Sequence, residues 1–169
     1  SSNLSSSFAS LSASIATAGA SLYAASTIAM DWVAASNAQE NATIRLNAAL
    51  QSQGSFTPKL SDQYANLASE LEKTTGNADE LLMEMEALLV QVGDVGPGQM
   101  KAALTAASDL SAGLGIDLTT ATKAVAKAFD GGGTAIAKML PSLKDIIKEG
   151  ATTEQVLDAL NQRFGGQAE

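Results

Sequence analysis

The stretch Phe129-Asp-Gly-Gly-Gly-Thr-Ala-Ile-Ala-Lys138 places three glycines at the head of a helix-compatible segment, with a lysine five positions after the last of them. A run of this kind raises the chemistry of phosphate binding, in which backbone N–H groups and an ammonium converge on one anion. That chemistry calls for a buried strand before the glycines and for Lys followed by Ser or Thr directly after them. Here the residues ahead of Gly131 have helical spacing, and Lys138 is followed by Met139. The stretch therefore reads as a turn between two helices.

Two charged groups invite other chemistries. Asp79, Glu80, Glu84, Glu86 and Asp94 have no basic residue among them, since none lies between Lys73 and Lys101. They suggest a carboxylate metal site or an acid/base pair. On a helix, however, Glu80 and Glu84 share a face and Glu86 points away, and a metal site wants histidines or further carboxylates from a facing helix. The expectation is a solvated outer face. The lysines Lys123, Lys127, Lys138, Lys144 and Lys148 are diluted by Asp130, Asp145 and Glu149, with no aromatic residues interleaved for base stacking, so they too read as surface. The serines between Ser5 and Ser14 have no base nearby to activate a nucleophile.

Composition removes most of the remaining enzyme chemistry. There is no cysteine and no histidine, which excludes disulfides, Cys/His zinc sites, thiol or imidazole relays and a histidine pH switch. A formal net charge of −8 argues against a broad nucleic-acid footprint, while leaving local contact with a DNA end open. No catalytic residue, cofactor site, metal site or small-molecule ligand is assigned.

The elements that carry these residues are helical. The chain is 46% hydrophobic but only 4% aromatic, and much of the apolar share is alanine, which favours helices packed at close range around a thin core. The first residue is Ser, which suggests a piece of something longer. Residues Leu4 to Met30 carry no charge, yet they are dense in Ser and Thr with no basic stretch before them. They suit neither a signal peptide nor a membrane-spanning helix of about 20 apolar residues.

Charge and chain breakers divide the sequence at Gly54 to Thr57, because before Pro58 the charged side chains are Asp31, Glu40 and Arg45 alone. The expected organisation is a long charge-poor helix over residues 1–54, a linker at 55–58 and a multi-helix domain over 58–169. In the first part Leu4, Phe8, Leu11, Ile15, Ala18, Leu22, Ala25, Ala29 and Trp32 recur at alternating spacings of four and three, the seam of a coiled coil. Leu4, Phe8, Leu11, Ile15, Leu22 and Trp32 are its anchors, and self-association as a trimer or other small parallel oligomer is expected of it. The register then meets Ser36, Gln39 and Thr43 before Leu46 and Leu50, so the seam loosens in the middle. A helix folding back on its own second half is the alternative.

In the second part, helix ends are spelled out by capping residues. Thr57-Pro58 opens one helix and Gly76 ends it; Asn77 with Glu80 opens the next and Gly93 closes it. Gly96-Pro97 opens a third, stopped by Gly113 to Gly115, and Asp117 caps a fourth that reaches Phe129. After the glycines, Pro141-Ser142 starts a turn, and Thr152 with Gln155 forms a capping box for a last helix ended by Gly165-Gly166. Breakers every 15 to 20 residues or so match short antiparallel helices packed as a bundle or stacked as a solenoid, and no stretch reads as a strand. The fold class is all-α.

The succession LSDQYANLASELEKTTGNADELLMEMEALLVQVGDVGPGQM, KAALTAASDLSAGLGIDLTTATKAVAKAF and IIKEGATTEQVLDALNQRFGGQAE resembles the conserved helical region of tail tape measure proteins of long-tailed bacteriophages, over about residues 58–169. Its more telling pieces are Thr75-Gly76, Gly96-Pro97, the Gly-x-Asp-Leu cap at Gly115 to Leu118, and Arg163 to Ala168. Where the family pattern carries a charged or proline-bearing link, this chain has Gly131, Gly132 and Gly133. The resemblance implies a non-enzymatic structural protein of the virion, held in the lumen of the tail tube after assembly in the host cytoplasm. Its length would set the length of the tube, and it would leave ahead of the DNA. The partners so implied are the tail tube protein, tail-tip proteins and the tail assembly chaperone, with transient contact to a DNA end or the host membrane. A secreted filament or appendage subunit and a membrane-active helical protein are the competing expectations. The first is motivated by the Ala/Ser/Thr/Asn/Gln-rich, cysteine-free composition, the second by the uncharged run from Leu4 to Met30.

Overall fold

A computed structural model describes the backbone of residues 21–169 and the side chains of residues 36–169. All regular structure among the described residues is helical. Helix α1 (Ser21–Ser52) is followed by α2 (Pro58–Thr75), α3 (Asp79–Gly93), α4 (Pro97–Leu114) and α5 (Leu118–Met139). A 3-10 turn (Pro141–Asp145) and α6 (Thr153–Phe164) complete the order. None of the described helices is long and apolar enough to cross a membrane.

By compactness the chain forms two units, Ser1–Glu40 and Asn41–Glu169. In the first, the described residues belong to α1, and Ser36 to Glu40 are exposed. Of the expected seam, Leu4, Phe8, Leu11 and Ile15 lie outside the described residues, as do the side chains of Leu22 and Trp32. The second unit begins earlier than the breaker pattern implies. The last three turns of α1 bury Ala42, Leu46, Ala49 and Leu50 in the same core as the helices beyond Pro58. Leu46 and Leu50, the expected tail of the seam, are therefore core residues of the helical domain. Gly54, with φ 69°, turns the chain after α1, and the N–H of Ser55 closes it on the carbonyl of Leu50 at 2.9 Å.

Local chemistry accounts for most helix ends. The Thr57 hydroxyl accepts the Leu60 N–H at 3.1 Å ahead of Pro58, and Gly76 ends α2 in the left-handed conformation. The Asp117 carboxylate accepts the Thr120 N–H at 2.9 Å, and Thr152 and Gln155 form the reciprocal capping box of α6. One expected cap is displaced. Helix α3 starts from Ala78, whose side chain has no oxygen to cap with, while the Asn77 N–H donates to the Thr75 hydroxyl at 3.3 Å. At its other end Asp94, not Gly93, takes the left-handed position. Gly93 serves packing instead, since a Cβ there would lie 3.0 Å from the carbonyl oxygen of Ala126 on α5.

Helix α5 is the hub: it packs against α3, α4, α6 and the 3-10 turn. Its inward positions are mostly small, with Ala121, Ala124, Ala126 and Ala128 beside Val125, so neighbouring backbones come close. Leucines and methionines from the surrounding helices, among them Leu82, Leu89, Met100, Leu104 and Leu110, fill the remaining volume. Helix α2 packs on α3 and α4 and donates its Ser61 hydroxyl to Asn47 of α1.

Candidate functional site

The glycine stretch lies within α5 and breaks it. Gly131 (φ −140°, ψ 17°) and Gly132 (φ 65°, ψ −153°) leave the helical region, and the helix resumes toward Met139. The Gly133 N–H donates to the carbonyl of Ala151 at 2.8 Å, and the Gly150 N–H donates to the Thr134 hydroxyl at 3.2 Å. The Thr153 hydroxyl closes the far side on the carbonyl of Ala128 at 2.9 Å. The segment from Ile147 to Thr153 is thus folded onto the glycines, and the Gly133 N–H that a phosphate would use is bound to protein. The arrangement is a joint with no N–H cradle at Gly133. Beside it lies an open concavity of about 350 Å³ lined by Thr134, Ala137, Lys138, Lys144, Ile147 and Glu149.

The acidic group separates into surface and interior. Glu84 pairs with Arg45 at 2.8 Å, and Asp79 accepts the Ser69 hydroxyl at 3.4 Å. Among the described residues no three Asp, Glu, His or Cys side chains cluster to hold a metal ion. Glu86 overturns the expectation of a solvated face, being 0% exposed with neither carboxyl oxygen hydrogen-bonded. Burial in apolar surroundings pushes its carboxyl up to about 9, so it is neutral at pH 7. Tyr64 of α2, also buried, is pushed up to about 12 by burial and then by the Glu86 charge.

The lysines Lys123, Lys127, Lys138, Lys144 and Lys148 are all exposed, as expected. Comparison of the chain with protein-family models, with curated proteins and with solved structures finds no match. The chain's own residues therefore carry the functional argument.

Two interior polar residues escape a reading by residue type. Glu86 lies four positions after Leu82, three before Leu89 and four before Val90, on the stripe that α3 buries. Its helical phase is a signal that charge counting discards. Asp109 is buried on α4, and its carboxylate accepts the Ala168 N–H at 3.0 Å, which fastens the end of the chain to the domain. No local signal marks that bond, because 59 residues separate its partners.

Proposed function

We propose that the chain is a segment of a phage tail tape measure protein: a structural, non-catalytic component that occupies the tail tube lumen, sets tube length during assembly and leaves ahead of the DNA. The observation that carries this reading is the order and spacing of the motifs that resemble that family. Thr75-Gly76, Gly96-Pro97, Gly115 to Leu118 and Arg163 to Ala168 fall in turn at the helix boundaries of one all-helical unit. A helix that leads into this unit suits a ruler, because helical length is proportional to residue number. Residues 21–40, the part of α1 ahead of that unit, extend about 30 Å at 1.5 Å per residue.

The arm needs a partner in this reading, and a parallel trimer or other small oligomer through Leu4, Phe8, Leu11, Ile15, Leu22 and Trp32 provides it. Sedimentation equilibrium of the chain tests that part: a concentration-dependent oligomer lost in Leu11→Asp with Leu22→Asp is expected, and a monomer at high concentration removes the seam. The ruler itself is tested by in-frame deletions in the parent reading frame. Tails should shorten in proportion to the residues removed, and tails of unchanged length defeat the assignment.

A further inference from the structure

The buried Ser, Thr and Asp side chains of the helical domain each have a bond. Ser61 donates to Asn47 Oδ1 at 2.6 Å, Ser108 to the carbonyl of Leu104 at 3.0 Å and Thr122 to that of Leu118 at 2.7 Å, while Asp109 accepts the Ala168 N–H. Glu86 alone has none. A carboxyl in such a place stays packed only as the neutral acid, since an unpaired buried carboxylate is far costlier than a protonated one.

The groups around it offer no countercharge. On α5 the inward residues are Ala121, Thr122, Ala124, Val125, Ala126 and Ala128, and Lys123 and Lys127 are exposed. On α4 the buried ionisable group is Asp109, tied to Ala168. On α1 Arg45 is held at the surface by Glu84. On α2 the titratable neighbour is Tyr64, 3% exposed. Helix α3 packs against α5, α2 and α4 and is tied to α1 through Arg45 and Glu84, and of these α2 brings Tyr64 within reach of the Glu86 charge. The α5 side is held by backbone approach at Gly93 and Ala126. The α2 side is weaker, because its 18 residues bury four side chains, Ser61, Tyr64, Ala68 and Leu71. Low local burial is what distinguishes segments that open alone.

We propose that Glu86 makes the docking of α2 on α3 proton-linked: α2 is seated while the Glu86 carboxyl keeps its proton, and lifts together with Tyr64 when that proton leaves for water. The inference is independent of the tape measure reading. The seated state binds one more proton than the lifted one, so raising pH favours lifting. The window runs from the ordinary carboxyl value of 4.5 to about 9, and within it the lifting equilibrium changes about tenfold per pH unit.

Native-state amide hydrogen exchange of the whole chain between pH 6 and 8, corrected for the intrinsic exchange rate, decides it. Protection of the α2 amides from Ala65 to Leu71 should fall about tenfold per unit. Protection on α5 from Ala121 to Ala128 should stay above that on α2 at every pH, because lifting α2 leaves α5 paired and only opening of the whole domain, which frees Glu86 with the same slope, exposes it. In Glu86→Gln, and in Glu86→Met should the first not fold, α2 protection should be independent of pH. A flat wild-type profile, a slope that survives both substitutions, or α5 amides no better protected than those of α2 would each overturn the proposal.

Discussion

Alanine substitution of the three joint glycines, one at a time, separates a flexible hinge from a packed joint. Gly131 has an ordinary negative φ, and an added Cβ would meet Ala135 Cβ at 2.9 Å. That methyl moves only with its own backbone, so the helix must give slightly and Gly131→Ala should cost about 1–2 kcal/mol after the lower entropy of the unfolded chain is credited. Gly132 has φ 65° and ψ −153°, a region open essentially to glycine, at a cost of about 1–3 kcal/mol for any other residue. Its Cβ would also sit 2.5 Å from the carbonyl oxygen of Ala151. That carbonyl cannot retreat without giving up the 2.8 Å bond from the Gly133 N–H, worth about 1 kcal/mol. Gly132→Ala should therefore cost roughly 3–5 kcal/mol.

For Gly133 the backbone is permissive and space decides. The new Cβ would lie 2.6 Å from Lys148 O, 2.9 Å from Ala151 Cβ and 3.0 Å from Ile147 Cγ2. Ile147 is 3% exposed and has nowhere to move, so overpacking with the strained Ala151 bond gives roughly 2–4 kcal/mol. Urea unfolding followed by circular dichroism at 222 nm measures all three. Ala151→Gly in the Gly133→Ala background should recover only part of the loss, because Lys148 O remains. Three variants within about 0.5 kcal/mol of one another and of the wild type would refute the reasoning, since a plain flexible link gives that result.

Other consequences follow from the interior. The folded domain holds a proton on Glu86 that the unfolded chain, with a carboxyl at 4.5, releases, so stability is greatest below that pH and falls until about 9. Glu86→Leu should flatten this profile and gain about 3 kcal/mol at pH 7, measured by urea melts across pH; an unchanged slope counts against it. Gly113→Ala would place a Cβ 2.4 Å from Phe164 Cδ1 and should cost about 1–3 kcal/mol, with Phe164→Leu in the same chain relieving it in thermal melts. Asp109→Ala should cost about 1–3 kcal/mol and speed amide exchange at Ala168, while Glu84→Gln at the exposed Arg45 pair should change stability by less than about 1 kcal/mol.

The cap residues made the helix order readable because each acts on the turn it adjoins. Thr57-Pro58, Gly76, Gly96-Pro97, Asp117 and the Thr152/Gln155 box all mark real helix ends. At Asn77 the expected cap falls one residue short, and α3 starts from Ala78 without a side-chain cap. Glu86 was readable in part: its phase placed it with Leu82 and Leu89, but charge weighed against burial, and only the neighbours decide whether a stripe is covered. The break after Gly54 is real as a turn but misplaces the domain edge, because the chain turns there after its last helical turns have joined the core.

By itself the sequence determined an all-helical chain with known punctuation and no Cys or His chemistry, since capping, period and residue inventory are local properties. The tertiary structure decided what the local code leaves open. It put the end of α1 inside the domain, gave Gly93, Gly113 and Gly133 to close approach rather than to turns, and sealed an acid in the core. The physical reason is that a residue's own chain sets its conformation, while its solvent exposure and the room beside it are set by segments tens of residues away.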